Sequence, residues 1–291
     1  MSTAELTPPG APAPGTRVRG PTALGNDPRR FWNLTMALAI TDFKLRFFGS
    51  VLGYLWQLMR PLMLFGVLYT VFSLFFSFGA EVKYYPVALL MGIVLFTFMS
   101  EATSLSVRSL VNRENLVRKI EFPRLAVPLS TVVTALLNLV LNLVPVFVFL
   151  LAAGGRPRWS WLELPLLVII LTLFVVGLSM LLSAWFVRYR DVEPIWDVLL
   201  QVMFYGSPIL YTLQSVIAQT SPTVAHVMLL NPFTAVMQQA RHAVIDPSHL
   251  SAAQAIGGSA RLLLPATVIV VVLALGSWVF SREAPRVAED L

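Results

Sequence analysis

The stretch Val111–Leu129, VNRENLVRKIEFPRLAVPL, decides how this chain is read. Apolar runs flank it on both sides. Yet the window from Arg108 to Arg124 holds the basic residues Arg108, Arg113, Arg118, Lys119 and Arg124 and the acids Glu114 and Glu121. The rest of the chain is poor in charge. Of its 291 residues 57% are hydrophobic and 12% charged, with a mean hydropathy of +0.75. Soluble domains are about one quarter charged. Half that share, arranged in long apolar runs, points to an all-α integral membrane protein. The charged stretch is then a loop between two membrane spans.

Working outward, the apolar runs predict six transmembrane helices: roughly 56–78, 84–106, 125–152, 161–187, one starting near Ile195 and interrupted at Ser207-Pro208, and 262–280. Each reaches or approaches the ~20 residues needed to cross a bilayer. Asp27-Pro28 is a helix start. The helix it opens mixes aromatics with Asn33, Asp42, Lys44 and Arg46, so it is expected to lie in the interface as an amphipathic helix. Between spans five and six, the apolar pieces Ile209–Ile217 and Val224–Leu230 are too short to cross and predict an outer re-entrant hairpin. A further short helix over Phe233–Ile245 is expected from Phe233, Val236, Met237, Ala240 and Val244. Residues 1–26, rich in Pro, Ala, Gly and Thr, have no apolar core and read as a disordered tail preceding a single membrane domain over 27–291.

The net charge of +6 does not imply nucleic acid. Basic residues in membrane proteins gather in cytoplasmic loops. With six crossings and the N-terminus inside, only Lys83, Arg156, Arg158, Arg241 and Arg261 of the 21 Lys and Arg fall outside. Both termini are therefore expected in the cytoplasm. There are no cysteines, which excludes disulfides, thiolate metal sites and a cysteine nucleophile. His226, His242 and His249 show no metal-ligand spacing, and no metal is expected.

The cytoplasmic stretch has helical pattern. Arg108, Asn112, Asn115 and Lys119 form one polar face, and Leu110, Val117 and Ile120 form another. Pro123 stops it. Such a helix either rests on anionic lipid or docks in a cytoplasmic partner. Periodicity alone leans to the helix resting on lipid.

Four stretches carry a resemblance. DFKLRFFGSVLGYLWQLMRPLM (Asp42–Met63), NRENLVRKIEFPRLAVPL (Asn112–Leu129), RYRDVEPI (Arg188–Ile195) and the pair SPILY and NPF, from Ser207 and Asn231, resemble in order the motifs of ABC-2 type permeases. These are membrane subunits of ABC exporters for lipid-linked polysaccharides and teichoic acids in the bacterial cytoplasmic (inner) membrane. The resemblance spans about Arg29 to Ser281 and departs at the Pro-rich tail.

It implies that the stretch after span two is a coupling helix seated in an ATPase groove, through Asn112, Arg113, Glu114, Asn115, Leu116, Val117 and Lys119. It also implies two copies of that ATPase, which carry ATP and Mg, a second copy of this chain, and a polymer path between the two copies lined by spans one and five. Tyr69, Phe72, Phe204 and Tyr205 are the candidate lining. Arg46 and Arg60 are candidates for the headgroup of a lipid carrier, with membrane lipids as the simpler partner.

The chain is not expected to hydrolyse ATP itself. Its lysines, Lys44, Lys83 and Lys119, all lack a preceding glycine, so the phosphate-cradling Gly-Lys-Ser/Thr loop is absent. Ion-driven transport needs ionisable groups deep in the membrane; Glu101 and Asp197 are the candidates, and both sit near span ends. A membrane-bound sugar transferase needs more acids than Asp191 and Glu193. Export of a small amphiphile, a drug or lipid, is the main alternative cargo.

Overall fold

The computed structural model describes residues 27–47, 53–75, 82–117 and 122–283. The tail assigned to 1–26 lies outside them, as do Lys119 and Ile120. The described residues are helical and contain no strand. In chain order the elements are α1 (Pro28–Phe47), α2 (Gly53–Tyr69, continued by a π-helical turn Thr70–Phe75), α3 (Tyr85–Val107), α4 (Ser109–Asn112), α5 (Glu114–Val117), α6 (Ala126–Ala152), α7 (Glu163–Arg188), α8 (Val192–Gly206), α9 (Leu213–Gln219), α10 (Pro222–Leu229), α11 (Pro232–Ala240, continued by a π-helical turn Arg241–Ile245), α12 (Ala252–Ile256) and α13 (Leu263–Glu283).

Five helical segments are long and apolar enough to cross a membrane, those containing α2, α3, α6, α7 and α13. The expected sixth, α8, has 15 residues, or ~22 Å at 1.5 Å per residue. It ends at Gly206, next to the Ser207-Pro208 break seen in the sequence. The break shortens the span below the ~30 Å of the hydrocarbon core.

α3 is the central post. Burial covers 78% of its apolar window, against 6% for α2. Its core residues include Leu89, Leu90, Met91, Ile93, Phe98 and Met99, all fully buried. α6, α7, α8 and α2 pack around it. α13 packs on α7 through two glycines. A Cβ on Gly276 would collide with the Gly177 carbonyl, and one on Gly177 would stand 2.8 Å from the Leu273 nitrogen. Glycine at both positions lets the two backbones touch, as small residues do in membrane helix pairs.

α1 begins where the sequence places it. The Asp27 carboxylate accepts from the Arg29 amide at 2.9 Å. Phe31, Thr35 and Ala39, spaced by four, are buried, and the Thr134 hydroxyl of α6 donates to the Ala39 carbonyl at 3.2 Å. Trp32 and Leu45 stay exposed. α1 thus rests on α6 by a narrow stripe, consistent with its broken apolar face.

Candidate functional site

The charged stretch after α3 is not one helix. α3 ends at Arg108 (φ −88, ψ 0), and Arg113 (φ −120, ψ 29) separates α4 from α5. The single helix expected from the spacing is therefore two short turns. Its polar and apolar sides survive. Leu110 and Val117 are fully buried with Val127, Met180, Ala184, Val187 and Phe280. Val117 accordingly faces the chain's own bundle. Asn112 and Asn115 are exposed, and Glu114 and Leu116 are half-buried. These are what the segment leaves open at its surface. Lys119 falls outside the described residues.

Arginines pin this segment to its surroundings. Arg113 turns inward, pairs with Asp42 of α1 and donates to the Ser130 hydroxyl of α6 at 3.3 Å. Arg108 Nε donates to Glu193 Oε2 of α8 at 2.5 Å. Arg46, near the end of α1, pairs with Glu101 of α3, and Glu101 also accepts from Asn138 Nδ2 of α6 at 2.7 Å. Glu101 and Arg108 thus each have a partner on another element. Asp42, Glu101 and Glu193 tie α1, α3, α6 and α8 to one another and to the α4–α5 segment.

A cavity of about 910 Å³ opens between α2 and α3 at this level. Arg46, Trp56, Gln57, Arg60, Ser100 and Glu101 are on its wall. The structure therefore brings Arg46 and Arg60 to one space. Arg46 already has a carboxylate there, whereas Arg60 is exposed and has no ion pair among the described residues.

The four aromatic candidates lie on two helices, α2 and α8, that both pack on α3. Tyr69 stacks on Phe65, centroids 5.6 Å apart, and Phe72 is half-buried. Phe204 meets Phe96 of α3 edge-on at 5.1 Å and Tyr205 at 5.3 Å. Tyr205 is 64% exposed, the most open of the four. Val198 and Val202 are exposed beside it, as are Asp197 and Gln201.

The opposite end of the bundle is organised by a residue that charge counting placed merely in an outer loop. Arg241, 2% exposed, donates to three carbonyls: Ala88 of α3 through Nε at 3.2 Å, Pro208 through Nη1 at 2.6 Å and Ile209 through Nη2 at 2.9 Å. It fills the carbonyls left open where α8 breaks. Gly92 makes room for it, since a Cβ there would stand 3.1 Å from Nη2. The signal was present in the sequence: Arg241 follows Met237 by four and precedes Val244 by three, on the apolar face of its helix.

Around it, Asp246 accepts from Lys83 at 3.1 Å and Arg158 at 3.4 Å. Burial works to raise the Asp246 carboxyl, but the Ser248 amide and the Lys83 ammonium hold it well below the usual range. Burial, and then the Arg241 charge, push the His249 imidazole down to about 4. No three of His, Asp or Glu among the described residues converge as a metal would require.

Comparison with known proteins follows this geometry closely. The family model described as "ABC-2 type transporter" matches residues 33–245, from within α1 to the end of the turn after α11. The chain is 27% identical over 265 residues to the O-antigen export system permease protein RfbA of Myxococcus xanthus, covering 90% of this chain and 96% of that protein. Two proteins of the same name from Klebsiella pneumoniae are 29% and 30% identical over 181 residues, 62% of this chain and 69% of theirs. On the length of the family match and the order of its motifs, the chain belongs to the ABC-2 type transporter family.

Proposed function

We propose that this chain is the membrane-spanning subunit of an ATP-driven exporter that carries a lipid-linked polysaccharide or related cell-envelope polymer out across the bacterial cytoplasmic membrane. The observation that carries this reading is the end-to-end correspondence with the Myxococcus xanthus O-antigen permease. ATP and Mg belong to a separate ATPase, present in two copies beside two copies of this chain.

In this arrangement α8 and the Ser207–Thr212 segment together make the sixth crossing, and α9 and α10 form the outer hairpin. Both termini are cytoplasmic, and α1 lies along the inner interface. The ATPase meets Asn112, Glu114, Asn115 and Leu116, with Lys119 beside them, while Arg113 and Val117 hold the segment to the bundle. An ATPase stroke against the segment reaches α1 through Asp42 and α8 through Glu193. Tyr69, Phe72, Phe204 and Tyr205 line the path between the two copies, and Tyr205, open in one protomer, faces the other. The carrier diphosphate enters the cavity between α2 and α3, where Arg60 meets it first and Arg46 exchanges Glu101 for a phosphate oxygen.

Depletion of the chain tests this reading. Cell-surface polymer should fall while lipid-linked polymer accumulates on the cytoplasmic leaflet. Unchanged surface polymer, with raised sensitivity to amphiphilic drugs, overturns it in favour of small-molecule export. The R60Q variant should reproduce the accumulation in part with the protein at its normal level.

A further inference from the structure

A second basic pocket lies on the far side of the bundle, away from the cavity and the aromatic path. α7 and α13 touch at Gly177 and Gly276, near the middle of both helices. Where they part at the end shared with Glu193 and the α4–α5 segment, they leave a cavity of about 210 Å³. Its wall carries Trp185, Arg188 and Tyr189 from the α7 end and Trp278, Arg282 and Glu283 from α13. Arg188 lies over the Tyr189 ring at 5.7 Å and Arg282 over the Trp278 ring at 5.4 Å. Neither arginine has a carboxylate within ion-pair distance among the described residues, unlike Arg46, Arg108 and Arg113. Aromatic faces orient the two guanidiniums and leave their N–H groups free.

An apolar track leads out of this pocket. Val271, Leu275 and Trp278, spaced by four and three, are all exposed, and Arg282 follows Trp278 by four. One face of α13 therefore presents a strip of hydrocarbon ending in a cation, and Trp185 of α7 is exposed at the same end. A soluble phosphate has no use for that strip. We infer that the pocket between the cytoplasmic ends of α7 and α13 binds an anionic phospholipid. Its phosphodiester lies between Arg188 and Arg282, and an acyl chain lies along Leu275 and Val271. Basic pockets between helices at the cytoplasmic side suit such headgroups, and each basic contact adds to the preference. Glu283 at the rim is outnumbered by the two arginines.

The test is native mass spectrometry of the full-length chain in detergent. It counts retained phosphatidylglycerol against phosphatidylcholine of the same acyl chains, with millimolar inorganic phosphate as a competing arm. The wild-type chain, and R156Q as a one-charge control at the other end, should retain phosphatidylglycerol about tenfold over phosphatidylcholine, with or without phosphate. R188Q/R282Q should bring the two lipids to parity while eluting as a single species, because both side chains are exposed. R188K/R282K, which keeps the charges, should restore part of the preference. A preference that persists in R188Q/R282Q overturns the site, as does a lysine pair no better than the glutamine pair. Complete displacement by inorganic phosphate overturns the lipid assignment and makes the pocket a phosphate site.

Discussion

The two ends of this bundle use arginine in opposite ways. At the end that carries the α4–α5 segment, the inner end in the proposed topology, Arg46, Arg108 and Arg113 pair with carboxylates on other elements, and all three pairs keep partial access to water. Such pairs contribute little to stability, about 0–1 kcal/mol each, and their partners can be exchanged. At the opposite end Arg241 is buried and donates to three main-chain carbonyls, two of which, Pro208 and Ile209, follow the end of α8. That set cannot part without leaving carbonyls bare in apolar surroundings, which costs about 1–3 kcal/mol for each buried group left unmade. The difference teaches which end is free to move. The inner end is a set of exchangeable contacts. The outer end is a lock on a broken helix.

The sharpest way to break this comparison is Arg241→Met. It removes the donor to Ala88, Pro208 and Ile209 together, and a loss of roughly 3–5 kcal/mol is expected. Thermal unfolding in detergent should show a large drop or loss of monodisperse protein. A melting point within a degree or two of wild type removes the lock.

A smaller effect separates two neighbours in the inner segment. Val117→Asp places a carboxylate in the cluster with Met180 and Phe280, and should cost about 3 kcal/mol of stability. Leu116→Asp, half-exposed, should change stability by less than about 1 kcal/mol yet weaken co-purification of the ATPase. The reverse pattern would place Val117, not Leu116, at the partner.

The outer lock also predicts a pH dependence. The His249 imidazole, fully buried with Nε2 unpartnered, sits near 4 in the fold against 6.5 when free. A depressed folded value means that the unfolded chain binds the proton first. Stability is therefore full above about 6.5 and falls as pH drops towards 4, by up to about 3 kcal/mol. Below that, Asp246, whose folded value is also depressed, loses its share as pH falls through the acid range. Melting curves from pH 7.5 down to 4.5 should show the decline in wild type and a flatter profile in His249→Gln. Equal slopes in the two proteins would detach His249 from the lock.

The smallest effect belongs to Arg108 and Glu193. A double-mutant cycle with Arg108→Gln and Glu193→Gln should give a coupling of about 0.2–1 kcal/mol in stability. The single variants should lower coupling of ATP turnover to export more than they lower the melting point. A coupling above about 2 kcal/mol would make this inner pair a lock like the outer one.

Composition and hydropathy alone determined the helical membrane class, because unbroken apolar runs leave the backbone no other way to satisfy itself in lipid. They also placed α3, α6, α7 and α13 to within a few residues, and Ser207-Pro208 marked the end of α8 because proline cannot donate to the helix. Only the tertiary structure decided the rest. Spacing gave the α4–α5 segment two faces but not the break at Arg113, nor which face the bundle itself covers; that depends on Met180, Ala184 and Phe280, some 60 residues or more away in the chain. Counting charges put Arg241 outside with Lys83, yet only its neighbours in space show that it fills the broken end of another helix. Pairing of Asp42 with Arg113 and Glu101 with Arg46 is equally invisible to periodicity. Local pattern records what a residue avoids, water or lipid, whereas its partner is chosen by where distant helices cross.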